Sequence, residues 1–240
     1  YNKSVPVFSD KHLAYAWVDA KHMYDTARSL DVPFMAVSSV PTTWRIPPLE
    51  LPIGSEITEV MMHGYGPLEA YGFHALEAMQ CMVERRKGGE TGVASVQAVQ
   101  GDAIWQAEKD GRWSRELLNA IVGTGSATQR PELAPTAIFY LIEYRDGLRA
   151  AVAMQTGLNK PYLISVRVRG RNEPVVTNFA LQQGKPYGHF EHQVRAIEHM
   201  IHTGEPAYPV ERTLLTTGVL DSVMHSLAQD NKLLETPHLA

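Results

Sequence analysis

Ser4-Val5-Pro6-Val7-Phe8-Ser9-Asp10-Lys11-His12-Leu13-Ala14 is a short β-branched run that closes on an acid, a lysine and a histidine. A helical pattern follows at about 16–30, where Trp17, Ala20, Met23, Tyr24, Ala27 and Leu30 recur at three- and four-residue intervals. After Asp31-Val32-Pro33, the run Phe34-Met35-Ala36-Val37-Ser38-Ser39 reads as a second buried strand. Strand, helix and strand within about 35 residues form a βαβ unit and imply a parallel sheet. Polar groups at the carboxyl end of such a strand lie where open α/β sheets place their ligands. Two strands alone are not a stable sheet, so something must complete it.

The rest of the chain differs in character. Pro41, Pro47, Pro48 and Pro52, with Trp44 and Arg45 among them, argue against helix or central strand and mark a crossing. Residues 56–65 read as a strand, 67–72 as a loop and 74–86 as a helix stopped by Lys87-Gly88-Gly89. Residues 92–99 alternate as a strand, 101–122 as helical pieces around Trp105 and Trp113, and 123–130 as a flexible loop. Residues 137–144, Asp146-Gly147 and 148–155 predict a β-hairpin, extended by strands at 162–169 and 174–179. Two helices close the chain. The first, at 188–202, has a Phe190, Val194, Ile197, Ile201 stripe; the second, at 209–228, is apolar nearly all round and should be wedged between layers. The expected class is α/β followed by α+β. Residues 1–45 form the terminal βαβ part of a Rossmann-like sheet, and 46–240 a mostly antiparallel open sheet with helices on one face. The last helices pack back toward the first part.

With 240 residues the chain can bury a sizeable core. The balance of 22 Lys+Arg against 26 Asp+Glu gives no case for a nucleic-acid or anionic-membrane surface. A lone cysteine, Cys81, excludes an intramolecular disulfide and fits a reducing, cytoplasmic setting. No apolar run approaches the roughly 20 residues that span a bilayer. The chain opens at Tyr1, without methionine and beside a predicted strand, and reads as the carboxyl-terminal part of a longer protein.

Two residues invite chemistry. Lys11, beside a cleft, can donate a proton or hydrogen bonds to a reacting oxygen, although a solvated lysine capping a strand end has the same pattern. His74, at a predicted helix start after Gly64-Tyr65-Gly66-Pro67, suits a base or electrophile role, and equally a structural one. His192, His199 and His202 fall opposite the apolar stripe of their helix and read as a solvated face, so no metal is expected. No GxGxxG follows a strand, and there is no phosphate loop.

Val5 to Ala14, with Pro33-Phe34-Met35, resembles the Glu-Lys-Pro-Leu-Ala region of the Gfo/Idh/MocA oxidoreductases. Gly72-Phe73-His74-Ala75-Leu76-Glu77 resembles that family's Gly-x-His-Ala-Leu-Asp helix start. Gly92 to Ala98 is similar to the next strand, and Phe190 to Leu234 to the closing helices. The resemblance implies hydride transfer between a sugar or polyol and NAD or NADP, with assembly as a homo-oligomer through the open sheet face. It assigns Lys11 and His74, with Glu69, to catalysis, and Asp10 and Lys11 to the cofactor. It places His12, Trp44 and Arg45 toward the substrate. His12 stands where the family has proline, and Ala70 where it usually has an acid, with Glu69 one residue further back. The same residues leave open a sugar-active lyase or hydrolase, with or without a metal, and a non-catalytic oligomerisation domain.

Overall fold

The computed structural model describes residues 4–123, 130–156 and 162–240. Strand β1 (Val7–Asp10), helix α1 (Trp17–Ser29) and strand β2 (Phe34–Val37) form the expected βαβ unit. β1 and β2 pair in parallel, with Asp10 opposite Val37. A 3-10 turn (Val40–Thr42) then leads into a second sheet made of β3 (Trp44–Ile46), β4 (Ile57–Gly64), β5 (Val93–Gln100), β6 (Ile138–Tyr144), β7 (Arg149–Met154), β8 (Tyr162–Val168), β9 (Val175–Ala180) and β10 (Leu234–Glu235). Its order is β10-β5-β6-β7-β4-β8-β9-β3, antiparallel except for β4 beside β7. The hairpin turn sits where Asp146-Gly147 predicts it, with Gly147 at φ 84. The proline-rich crossing contains one short strand, β3, at the sheet edge, the position prolines tolerate.

Helices α2 (Leu68–Val83), α3 (Asp102–Lys109), α4 (Arg115–Val122), α5 (Glu191–Thr203) and α6 (Glu211–Ala228) complete the fold. Against one sheet face, α2 and α6 bury Phe73, Leu76, Met79, Val219 and Val223 on Val96, Tyr140, Ile142, Val152 and Ile164. Each such side chain contributes roughly 1.5–3 kcal/mol by leaving water. The layer expected on one face is therefore present. α3 and α4 add cover on the other, where Trp113, Leu117 and Leu118 meet Met61, Phe139, Leu141 and Ala151. A third cluster joins the βαβ unit to α6 through Leu13, Ala20, Phe34, Ala36, Val210 and Leu214. α6 is buried nearly all round, as its composition requires.

Three local expectations are corrected. Residues 67–72 are not a loop, because α2 begins at Leu68. Gly72, the last residue of that expected loop, lies inside the helix as a packing residue: a Cβ there would stand 2.5 Å from the Tyr140 hydroxyl. β1 is not buried, since it pairs on one side only and leaves Val5 and Val7 exposed. The stripe of α5 does not face the core either. Val194 and Ile201 are both 58 % exposed, and the helix seats itself through buried Gln193 and Met200. The flexible loop expected at 123–130 lies outside the described residues apart from its two ends.

Candidate active site

Parallel pairing of β1 and β2 aligns their carboxyl ends, so the residues that follow them, Lys11 and Ser38, leave the sheet side by side. The Lys11 N–H donates to the Val37 carbonyl at 3.4 Å. Lys11 takes φ 76, a left-handed conformation that costs a non-glycine residue of order 1 kcal/mol. Its Nζ lies 2.5 Å from Asp10 Oδ2, and both side chains are about half exposed.

His74 enters from α2. It is the seventh residue of that helix, so it lies beyond the first turn, where the helix dipole would act on it. Its Nδ1 lies 2.6 Å from the Ser38 hydroxyl. Burial first, then the positive charge of Lys11 and the nearby His12, lower its pKa from 6.5 to about 4, with Asp10 opposing them. Asp10, Lys11 and His12 are thus near enough for their charges to act on the His74 ring. His12 holds its place by an edge-on contact with Phe73, ring centres 5.5 Å apart.

Aromatic rings wall the other side. Tyr71 and Tyr162 approach His74 edge-on at 6.0 and 6.3 Å, and Tyr65 packs on both tyrosines. The Tyr162 hydroxyl donates to the Tyr71 carbonyl at 3.3 Å, and burial raises the pKa of Tyr162 well above the usual phenol value. Behind the site, the fully buried Glu77 accepts from the Ser38 N–H at 3.4 Å and the Thr216 hydroxyl at 2.6 Å. Burial raises its pKa, opposed by Arg212 and by these donors.

Other residues singled out in the sequence lie elsewhere. Glu69, five positions from His74, sits roughly 140° around the helix from it. It is exposed and shares with His12, Thr217, Asp221 and His225 a cavity of about 180 Å³ between α2 and α6. Arg45 serves the fold. Its guanidinium donates to the Pro41 and Thr43 carbonyls, covers the Phe179 ring at 5.1 Å and approaches Cys81, two turns along α2 from His74. Trp44 is partly exposed on the opposite side of β3, in a groove with His192, and has no contact with Lys11, Ser38 or His74 among the interactions of the described residues. His192, His199 and His202 are exposed, and no group of three or more metal-ligating side chains occurs among the described residues.

Ser38, Tyr71 and Tyr162 are site residues that the sequence reading passed over. Ser38 had a usable signal, being the first polar residue after an apolar parallel strand, as Lys11 nearly is. Tyr71, three positions before His74, would have been legible had the helix start been placed at Leu68. Tyr162, on a distant strand, had none.

No protein-family model matches this sequence, and no curated protein sequence does. Solved structures do. GenD2 from gentamicin A biosynthesis, in complex with NAD, superposes with a TM-score of 0.60 at 14% identity, over 96% of this chain and 71% of that one. Apo scyllo-inositol dehydrogenase from Lactobacillus casei gives 0.60 at 11%, over 96% and 72%. The WlbA dehydrogenase from Bordetella pertussis, with NADH and UDP-GlcNAcA, gives 0.53 at 16%, over 97% and 72%. The described chain thus shares its fold with the greater part of each of these solved chains.

Proposed function

We propose that this chain is the substrate-binding and catalytic part of an NAD- or NADP-dependent oxidoreductase that acts on a sugar or polyol. The observation that carries the reading is the meeting of Lys11, at the carboxyl end of a parallel strand, with a buried neutral His74 under a tyrosine wall. A cationic donor beside a neutral imidazole can stabilise the oxygen of a carbonyl–alcohol pair. Apolar ring faces suit the C–H faces of a sugar ring. The fold shared with dehydrogenases supports the class by analogy.

The dinucleotide, when bound, supplies or accepts the hydride. Asp10 and Lys11 lie where open α/β sheets hold the reactive end of such a group, and they fit that end alone. The sequence carries no glycine-rich loop for the pyrophosphate, which residues outside this chain would have to hold. On this reading residues 1–45 complete a nucleotide-binding sheet whose further strands add to the free edge of β1. In the reducing direction Lys11 Nζ gives a proton to the carbonyl oxygen; in the oxidising direction the neutral amine takes it back. His74 hydrogen-bonds to the same oxygen, and Asp10 orients the ammonium. A homo-oligomer contact belongs, on the same reading, to whatever part of the sheet face opposite α2 and α6 is left uncovered by α3 and α4, and sedimentation velocity tests it.

The test is turnover and binding with NAD(P)+ and a panel of polyols and sugars, followed at the reduced-nicotinamide absorbance. Full-length protein should turn over at least one of them, and Lys11→Ala should lose it. Absence of both binding and turnover across the panel would sink the reading.

A further inference from the structure

Which nitrogen of His74 carries the proton decides whether the ring accepts a proton from a substrate hydroxyl or donates to its oxygen. Ser38 settles this by hydrogen-bond accounting. Its hydroxyl accepts from the Val40 N–H at 3.0 Å and lies 2.6 Å from His74 Nδ1. A serine hydroxyl has one proton to give. Among the described residues that proton meets no other acceptor, and Ser38 is fully buried. Were Nδ1 the donor, the hydroxyl proton would be stranded in a sealed site, which is the expensive state for a buried polar group. We infer that Ser38 donates its hydroxyl proton to Nδ1 and so holds His74 as the Nε2–H tautomer, a hydrogen-bond donor to the reacting oxygen. Lys11 is then the group that moves the proton. The catalytic meaning rests on the oxidoreductase reading; the tautomer is a property of the chain itself.

The seat of Ser38 is held from several sides. Its N–H is bonded to Glu77, the Val37 carbonyl accepts from Gln193 Nε2 at 3.3 Å, and the Ala36 carbonyl accepts from the Thr213 hydroxyl at 2.7 Å. The hydrogen bond that His74 makes among the described residues is through Nδ1, which leaves Nε2 as the nitrogen that would meet a ligand. The titratable groups that face the ring are Asp10, Lys11 and His12 from β1 and the loop after it, Tyr71 from α2, and Tyr162 from β8. Lys11 and His12 both disfavour a second proton on the ring, which keeps it a neutral donor. Ser38 is a positioning residue, acting through His74.

Two-bond proton–nitrogen correlation spectra of the full chain, labelled with 15N at histidine and free of ligand, read the tautomer directly. His74→Asn identifies the signals. A pyridine-type Nδ1 with a pyrrole-type Nε2 is expected near pH 7.5; a pyrrole-type Nδ1 overturns the inference. Ser38→Ala gives a second reading with opposite signs for the two cases. A donor to the neutral ring opposes protonation, so its loss moves the His74 titration upward, whereas loss of an acceptor moves it downward. An unchanged or lowered midpoint also overturns the inference. Should Ser38→Ala fail to fold, the wild-type spectrum still decides. Where a turned-over polyol is found, Ser38→Ala lowers kcat about tenfold, the worth of one hydrogen bond, and leaves KM within about twofold. Failure of the whole polyol panel would remove the oxidoreductase reading and leave the tautomer measurement standing.

Discussion

Burial of a neutral imidazole makes the protein's stability depend on acid in a way that one substitution can isolate. His74 titrates at about 4 in the folded chain against 6.5 when free. Between those values the unfolded chain binds the extra proton and the folded chain does not, so stability falls as pH drops through 6.5 and levels off below about 4. The linkage relation gives a loss of about 1.4 kcal/mol by pH 5.5 and about 3 kcal/mol by pH 4, relative to pH 7.5. Other groups titrate over the same range, His238 among them, whose pKa is also lowered. The measurement is therefore a difference. Urea unfolding of wild type and His74→Asn at pH 4, 5.5 and 7.5 cancels whatever the two proteins share. Asparagine keeps an amide within reach of the Ser38 hydroxyl but cannot take up a proton. Wild type should lose ground to the variant by about 3 kcal/mol across that range. A difference that stays flat with pH would show that His74 titrates alike in the folded and unfolded chain, and the burial that keeps its ring neutral below pH 6.5 would fall with it.

Lys11→Gly should abolish turnover while leaving the unfolding free energy unchanged or raised by up to about 1 kcal/mol, since glycine relieves the left-handed backbone and the lost ion pair is solvated; chemical denaturation and the polyol assay read the two effects. Arg86 is buried against Asp146 at 2.7 Å and Glu90 at 3.4 Å, both partly exposed, so Arg86→Met should cost about 1–3 kcal/mol through the lost charge-assisted hydrogen bonds, measured by urea unfolding. Gly72→Ala, which on an exposed helix would stabilise by about 1 kcal/mol, should instead cost about 1–3 kcal/mol against Tyr140, and adding Tyr140→Phe should recover part of it.

What was legible in the sequence follows the range of each interaction. The βαβ unit, the hairpin at Asp146-Gly147 and the buried character of α6 are local patterns, and each appears where the pattern puts it. The place of Lys11 at the carboxyl end of a parallel strand was legible because it follows from the local βαβ pattern, whatever packs around it. Gly72 misled as the last residue of an expected loop, because its reason for being there is a tyrosine on a strand nearly seventy residues later. The α5 stripe misled because amphipathicity gives the direction of an apolar face but not whether another surface meets it. Glu69 was assigned by its nearness to the position where the resembled family has an acid, and helical geometry turns it roughly 140° away from His74, into a cavity it shares with His12.

The distance between Lys11 and His74 is set by neither of the elements that carry them. A two-stranded parallel sheet open along one edge is a poor ruler. The ruler is α6, whose polar side chains recur at helical spacing along one stripe and reach each neighbour in turn. Thr213 bonds the Ala36 carbonyl on β2, and Thr216 bonds Glu77 on α2. Thr217 accepts from the Leu13 N–H, two residues after Lys11, and Asp221 accepts from the Trp17 N–H at the start of α1. Val210 and Leu214 add apolar contact with Leu13 and Phe34. One helix thereby holds the lysine loop, the Ser38 strand and the His74 helix in a fixed relation. This explains why so many of its threonines and serines are buried. A helix chosen for packing alone would carry leucine or alanine there; one that must locate three backbones at once needs hydroxyls to do it.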